Sequence, residues 1–367
     1  MIHKTITLII CLAIILTSCN SEVNTNPNEI KIGAILSLTN NDLSSPNQAM
    51  LEGIELAAEE INNNNNGGIN GKILNIIYED DHLSSKDAVT SSQKLLNVDK
   101  VSASLIGLSN TAKSAGAIFE AEKTPLIVLW DSNKDIENIG DYVYSIGFNT
   151  EDAGYIMADK LYSKGIRNVA VIEHLDEWSI LISRSFIERF NQLGGKVKIH
   201  ESLEISNNDF KTVIQKSKDT EAIYVPFVAH LAIFFKQAKE LNYQGIIATG
   251  DSMNNDVILD SNGAAEGVYF TQLYIKENER IKNLRSNYIK KYGREPSMIE
   301  FNALGYDGVM VLVEAIKNLD DRDLQESIYK IQGFDGAAGI TSFNKEGSAS
   351  KYEKILVVKN NEAVESN

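Results

Sequence analysis

Residues Leu105 to Ser132 read LIGLSNTAKSAGAIFEAEKTPLIVLWDS. The stretch holds an apolar run, a polar turn at Ser109-Asn110-Thr111, a helical segment, a second apolar run and another turn at Trp130-Asp131-Ser132. Two short β-rich runs flanking a helix are the repeating unit of a parallel sheet with helices on its faces. In open parallel sheets, ligands bind in the crevice outside the carboxyl ends of the strands. Two polar turns, each following a strand, therefore propose one shared site.

The same grammar extends in both directions. Upstream, Ile30 to Leu36 is a strand, and Met50, Leu51, Ile54, Ala57, Ala58 and Ile61 recur at helical spacing with Glu52, Glu55, Glu59 and Glu60 on the wet side. A strand at Lys72 to Tyr78 and a helix at Ser85 to Asn97 lead into Leu105. Downstream, after a short strand at Tyr142 to Ser145, strands at Asn168 to Ile172, Lys196 to Glu201, Glu221 to Val225 and Gly245 to Thr249 alternate with helices beginning at Glu151, Trp178, Asn208 and Ala229. A strand at Val268 to Tyr274, helices at Arg280 to Tyr292, Ile299 to Asn318 and Leu324 to Ile331, and two short closing strands complete the chain. Two successive β-α runs with a break near Thr150 imply two α/β domains.

Length and charge bound the function. A chain of 367 residues is comfortable for two domains. Its 50 acidic against 35 basic residues disfavour nucleic acid as a partner, because backbone binding requires a positive footprint. Lys4 followed by the apolar Ile6 to Leu16 reads as a signal peptide over residues 1–18, and the run is shorter than the roughly 20 residues of a spanning helix. Leu16-Thr17-Ser18-Cys19 resembles a bacterial lipobox, which implies lipidation at Cys19. Residues 19–29 then form a polar tether, with a soluble domain held just off a membrane of the bacterial cell envelope, extracytoplasmic or periplasmic. Cys11 leaves with the signal peptide, so the mature chain has no disulfide.

Two chemical readings are weak. Glu79-Asp80-Asp81-His82 clusters acids beside a histidine, but neighbours in sequence do not converge on one ion, so a solvated turn is expected rather than a metal site. Gly107-Leu108-Ser109-Asn110-Thr111 half-matches a nucleophile elbow without its second glycine, and Ser91-Ser92-Gln93-Lys94 has the spacing of a serine-lysine acylase on what reads as a solvated helix. His82, His174, His200 and His230 are the mature candidates for a base, and none has a marked acid partner. A serine-type hydrolase is thus the rival reading, and no catalytic residue is assigned.

Several blocks together resemble a known family. They are Lys31-Ile32-Gly33-Ala34, the helix ending Glu60-Ile61-Asn62 before Gly67-Gly68-Ile69-Asn70-Gly71, the strand end Tyr78-Glu79-Asp80-Asp81, Asn302-Ala303-Leu304-Gly305-Tyr306-Asp307, and Gly339 with Phe343-Asn344-Lys345-Glu346-Gly347. In this order they resemble the leucine/isoleucine/valine-binding group of type I periplasmic binding proteins. The resemblance implies two Rossmann-like lobes joined by a three-strand hinge. Lobe one would comprise residues 30–148 plus 276–332 and lobe two 149–275 plus 333–360, with crossings near Gly147 to Thr150, Leu273 to Lys276 and Gln332 to Asp335. It further implies a small amino acid-like ligand, an ABC transporter permease as partner or a sensing role without transport, no cofactor and no enzymatic activity.

The implied site residues carry over position by position. Ser109 and Thr111 in the first turn, with Trp130 and Ser132 in the second, fall where lobe one holds a ligand carboxylate. Capping of the helix near Thr111 is the alternative for the two hydroxyls. Asp251, in Thr249-Gly250-Asp251, falls where an acid accepts the ligand ammonium, against a cap for a helix from Met253. Trp178 falls where an aromatic covers the ligand; Phe227 and Phe301 are weaker candidates, with core packing as the alternative for both. The sequence departs from the family at Trp130-Asp131, where small residues are usual. An aspartate there repels a ligand carboxylate or faces away, which opens the site to a smaller, cationic or non-amino-acid ligand.

Overall fold

The computed structural model describes residues 28–39, 43–63, 67–273, 275, 277–319, 323–349, 351 and 353–366; the signal peptide, Cys19 and most of the tether lie outside them. β1 (Glu29–Leu36), β2 (Ile73–Asp80), β3 (Ala103–Ile106) and β4 (Leu126–Val128) are followed by the short β5 (Asp131–Ser132) and by β6 (Val143–Ser145). They build a parallel sheet in the order β2-β1-β3-β4-β6, while β5 pairs with β7 (Phe148–Asn149) beside it. β8 (Asn168–His174), β9 (Lys196–Leu203), β10 (Ala222–Tyr224), β11 (Ile246–Thr249) and β12 (Tyr269–Leu273) form the parallel part of a second sheet. β13 (Phe334–Gly336) and β14 (Gly339–Thr341) make a hairpin, and β15 (Glu353–Lys359) with β16 (Glu362–Glu365) closes the second sheet antiparallel to β12.

The central strands of both sheets are buried on both faces, and side chains alternate along each strand between one core and the other. In the first sheet, Ile32, Ala34 and Leu36 of β1 join Leu105 and Ile127 in one cluster, while Ile35, Ile106 and Val128 join the opposite one. In the second, Ala170, Ile172, Ile223 and Val225 face one way and Val169, Val171, Ala222 and Tyr224 the other. The first cluster is capped by the helices Ser44–Asn62 and Ile299–Lys317, which cross at two glycines. A Cβ on Gly53 would lie 1.9 Å from the Asn302 carbonyl oxygen, and one on Gly305 2.0 Å from that of Met50. Asn302 seals the crossing by donating its side-chain amide to the Ala49 carbonyl at 2.8 Å.

The chain order β2-β1-β3 reverses direction between β1 and β3, and β9-β8-β10 does so between β8 and β10. These are the points at which open sheets of this kind leave a crevice at the strand ends. Three segments join the sheets. One follows β7, and one follows β12 into the helix Glu279–Tyr292, whose Ile281, Leu284 and Tyr288 pack in the first lobe.

The third crossing corrects the sequence reading, which placed it near Gln332 to Asp335 and gave residues from 333 onward to lobe two. Ala337, Ala338, Phe343 and Ala349 are buried in the first core, and Ser348 and Lys351 bridge in parallel to Ser145 and Phe148. The chain therefore returns to the second sheet only between Ala349 and Glu353. The physical cause is Asp307, which accepts from the backbone N–H groups of Ala337 and Ala338 at 2.7 and 2.8 Å and so ties the β13–β14 hairpin to lobe one. The closing strands are likewise two hairpins rather than two strands.

Candidate functional site

β3 ends at Ile106, and after Gly107 and Leu108 the helix Ser109–Ala121 begins. Trp130 donates its backbone N–H to the Gly107 carbonyl at 3.0 Å, and Phe148 donates to the Trp130 carbonyl at 2.9 Å. The second polar turn is thereby stitched between the first turn and the crossing strand. This places Asp131 at the head of the Ser109 helix. Its carboxylate accepts the Ser109 N–H at 3.0 Å and the Ser109 hydroxyl in a very short bond. Leu108, the residue at the cap position, supplies no side-chain bond, so Asp131 caps this helix from outside its own segment.

Both hydroxyls of the first turn are engaged within lobe one. Ser109 spends both donors on Asp131, and Thr111 is 1% exposed with its hydroxyl directed to the Leu108 carbonyl at 3.4 Å. Trp130 is half-buried and meets Phe301 edge to face, ring centroids 4.5 Å apart, with both packed on the first core. Ser132 is placed by its backbone in β5.

On the second lobe, Asp251 follows β11 in a turn fixed by Thr249, whose hydroxyl donates to the Val225 carbonyl at 2.8 Å, and by Ser252, whose hydroxyl donates to the Phe227 carbonyl at 2.7 Å. The helix that follows, Asn255–Asp260, is capped by Asn254, so Asp251 is not its cap. Gly250 lies against Trp178 and Ile182: a Cβ there would be 2.9 Å from Cη2 of the indole and 2.9 Å from Cδ1 of Ile182. Trp178 opens the helix Glu177–Gln192 and is thus brought to the Asp251 turn. Phe227 is not part of this group. It is fully buried, stacked on His174 at 3.9 Å and packed against Phe210 and Phe234, because its ring falls on the core side of the segment after β10.

The two turns face each other across the gap between the lobes. Lys113, on the Ser109 helix, pairs with Asp135 at 3.0 Å and with Glu177 at the start of the lobe-two helix. Lys134 and Arg184 approach the buried Glu151 at 3.9 and 3.5 Å. Asp131 and Asp251 retain partial exposure but are closely surrounded by protein. Burial raises the Asp131 carboxyl above the usual range, offset by the Ser109 bonds, with Glu177 adding to the rise. Burial, then the charge of Asp131, pushes Asp251 up to about 6.

Each acid thus responds to the other lobe, which no spacing in the sequence discloses. Lys113 and Glu177, 64 positions apart, were missed for the same reason. A surface depression of about 540 Å³ beside Tyr243, Gly245 and Val268 opens at the amino ends of the β11 region, the wrong end of a parallel strand for a ligand crevice.

The arrangement is that of a two-lobed receptor, and the sequence aligns with one such family from residue 29 to residue 362, under the description periplasmic binding protein. The chain belongs to the periplasmic binding protein family. It is 24% identical over 317 residues, 82% of either chain, to a leucine-, isoleucine-, valine-, threonine- and alanine-binding protein of Pseudomonas aeruginosa. It superposes with a TM-score of 0.77 on a leucine-binding protein of Thermotoga maritima at 28% identity, covering 92% of this chain and 98% of that one. A branched-chain amino acid transporter substrate-binding protein of Streptococcus pneumoniae, solved with isoleucine, shares the fold at 24% identity and a TM-score of 0.75, with 91% and 97% covered.

As a periplasmic binding protein, the chain has the mixed α/β architecture of two doubly wound lobes that its sequence implies. In the serine-lysine spacing, Ser91 is buried in the helix and Lys94 pairs with Glu79 and Asp99. In Glu79-Asp80-Asp81-His82, Glu79 pairs with Lys94 while the two aspartates bind loop backbone, Asp80 accepting from Leu38 and His82, and Asp81 from Leu83.

Proposed function

We propose that the chain is a solute-binding lipoprotein that closes its lobes on a small polar ligand of the amino-acid class or a close relative, and passes it to an ABC-type permease. Asp251 accepts the ligand ammonium, Trp130 and Trp178 border its apolar part, and Ser109 with Asp131 forms the lobe-one wall. Cys19 carries the lipid that holds the receptor at the membrane. The observation that carries this reading is the placement of Asp131 and Asp251 at facing strand ends, with Lys113 and Glu177 joining the lobes beside them.

A dry gap with an ionised carboxylate on its wall favours a counter-charge, and closure removes the competing water. The Ser109 hydroxyl meets a carboxylate rather than a histidine, so it lacks the base that a serine nucleophile requires. A thermal-shift screen over amino acids, amino-acid amides and small carboxylates tests the reading. A ligand at 100 times its dissociation constant adds about 2.7 kcal/mol of stability, and Asp251→Ala removes the shift. No shift across the panel, or the same shift in the variant, would sink the assignment. Cys19→Ala should release the protein from the membrane fraction; retention there rejects the anchor. Deleting the chain should abolish uptake of the active compound, and undiminished uptake argues for sensing without transport.

A further inference from the structure

The first turn of the Ser109–Ala121 helix is an anion seat, and the anion in it belongs to the protein. Free N–H groups at a helix start, together with a serine hydroxyl, favour a carboxylate. Here Asp131 takes the Ser109 N–H at 3.0 Å and the Ser109 hydroxyl as well. A ligand carboxylate could use these donors only by expelling Asp131, leaving two anions in one desolvated gap.

We propose, building on the cleft reading above, that the ligand is a cationic amine or an amino-acid amide without a free carboxylate, held between Asp131 on one lobe and Asp251 on the other. Three features support this class. Asp251 stands at the facing strand end, and the charge that acts on it is that of Asp131, the same sign as its own. Lys113, a cation that spans the gap, is already held by Asp135 and Glu177. Trp178 beside the Asp251 turn and Trp130 beside Asp131 are both partly exposed, and indole faces attract ammonium groups. A cation between the acids removes their mutual repulsion, so lobe closure and ligand charge are coupled.

The experiment is isothermal titration of the mature chain at pH 7.5 with L-leucinamide, L-alaninamide, 3-methylbutylamine and 1,4-diaminobutane, against L-leucine and L-alanine. The wild type should bind at least one amine or amide at least tenfold tighter than either amino acid. Asp131→Ala, which frees the Ser109 donors, should reverse that order, and Asp251→Asn should abolish amine binding. An amino acid that binds the wild type more tightly than its amide overturns this inference and leaves the cleft reading intact. No binding of either class to the folded wild type or to folded Asp131→Ala overturns both. If Asp131→Ala does not fold, the wild-type ranking together with Asp251→Asn decides.

Discussion

Asp307 and Asp251 are both aspartates that burial pushes up to about 6, yet they sit in opposite circumstances. Asp307 is fully buried in lobe one, accepts two backbone N–H groups, and feels the opposing charge of Lys351. Lys351 in turn donates to Thr341 at 2.6 Å, with the Gly339 and Ile340 carbonyls within reach. Asp251 has partial exposure and a carboxylate across the gap as its charged neighbour. The first acid is satisfied from within and fixes a hairpin. The second is left with a repulsion. Burial alone therefore does not tell the two acids apart; the sign of the charge each one faces does.

The largest effect that would break this comparison is on stability. Asp307→Ala strands Lys351 in a buried site and frees the β13–β14 hairpin, and should cost about 3–5 kcal/mol in denaturant unfolding. Phe227→Ala should also cost about 3–5 kcal/mol, here through the cavity left in the core. Asp251→Ala should not lower the unfolding midpoint. Were it to destabilise as much as Asp307→Ala, the two acids would be alike and the contrast would fail.

The next effect is pH dependence. A folded-state pKa raised to about 6 means the native chain keeps a proton that the unfolded chain has lost. Its contribution is complete below the ordinary carboxylate range and disappears as pH rises through about 6. Ligand-free protein should therefore lose stability between pH 5 and 7.5, and Asp251→Asn should recover on the order of 1–2 kcal/mol of that loss at pH 7.5. Asp307 titrates with the same sign, so the decline should persist in part in the variant. Binding of an amine runs the other way, weakening by up to about tenfold per unit as pH falls below about 6. Affinity flat from pH 7.5 to 5 would mean Asp251 is not the ammonium acceptor.

The smallest effect belongs to the ion pair between the lobes. Lys113 and Glu177 keep much of their surface exposed, so Lys113→Ala should weaken ligand binding by no more than about 1 kcal/mol, less at high salt. A larger loss, insensitive to salt, would place Lys113 in direct contact with the ligand.

Much of the molecule was legible in the sequence because its signals are local. The β-rich apolar runs Ile30 to Leu36 and Asn168 to Ile172 specified strands, and the polar turns after Ile106 and Val128 marked the carboxyl edge of the sheet. Asp251 and Trp178 could be singled out by position, and the structure brings them to one turn. Phe227 stayed open between ligand and core because the face of an irregular segment after a strand has no periodicity to report it, and the structure gives the core. The role of Asp131 was half visible: its clash with a ligand carboxylate could be stated, but not that it would take up the Ser109 donors itself.

The sequence by itself determined the α/β grammar, the two-lobe division, the acidic surface and the turns that border the cleft, since each depends on residues within one helix or strand of one another. Only the tertiary structure decided where the third crossing runs, because one buried aspartate gathers N–H groups 30 residues away. It also decided what the cleft offers a ligand. Whether a helix start is an empty anion seat or a filled one depends on a carboxylate 22 positions along the chain, and the charge facing Asp251 comes from another lobe. Electrostatic fields act through space, and a one-dimensional reading records only neighbours along the chain.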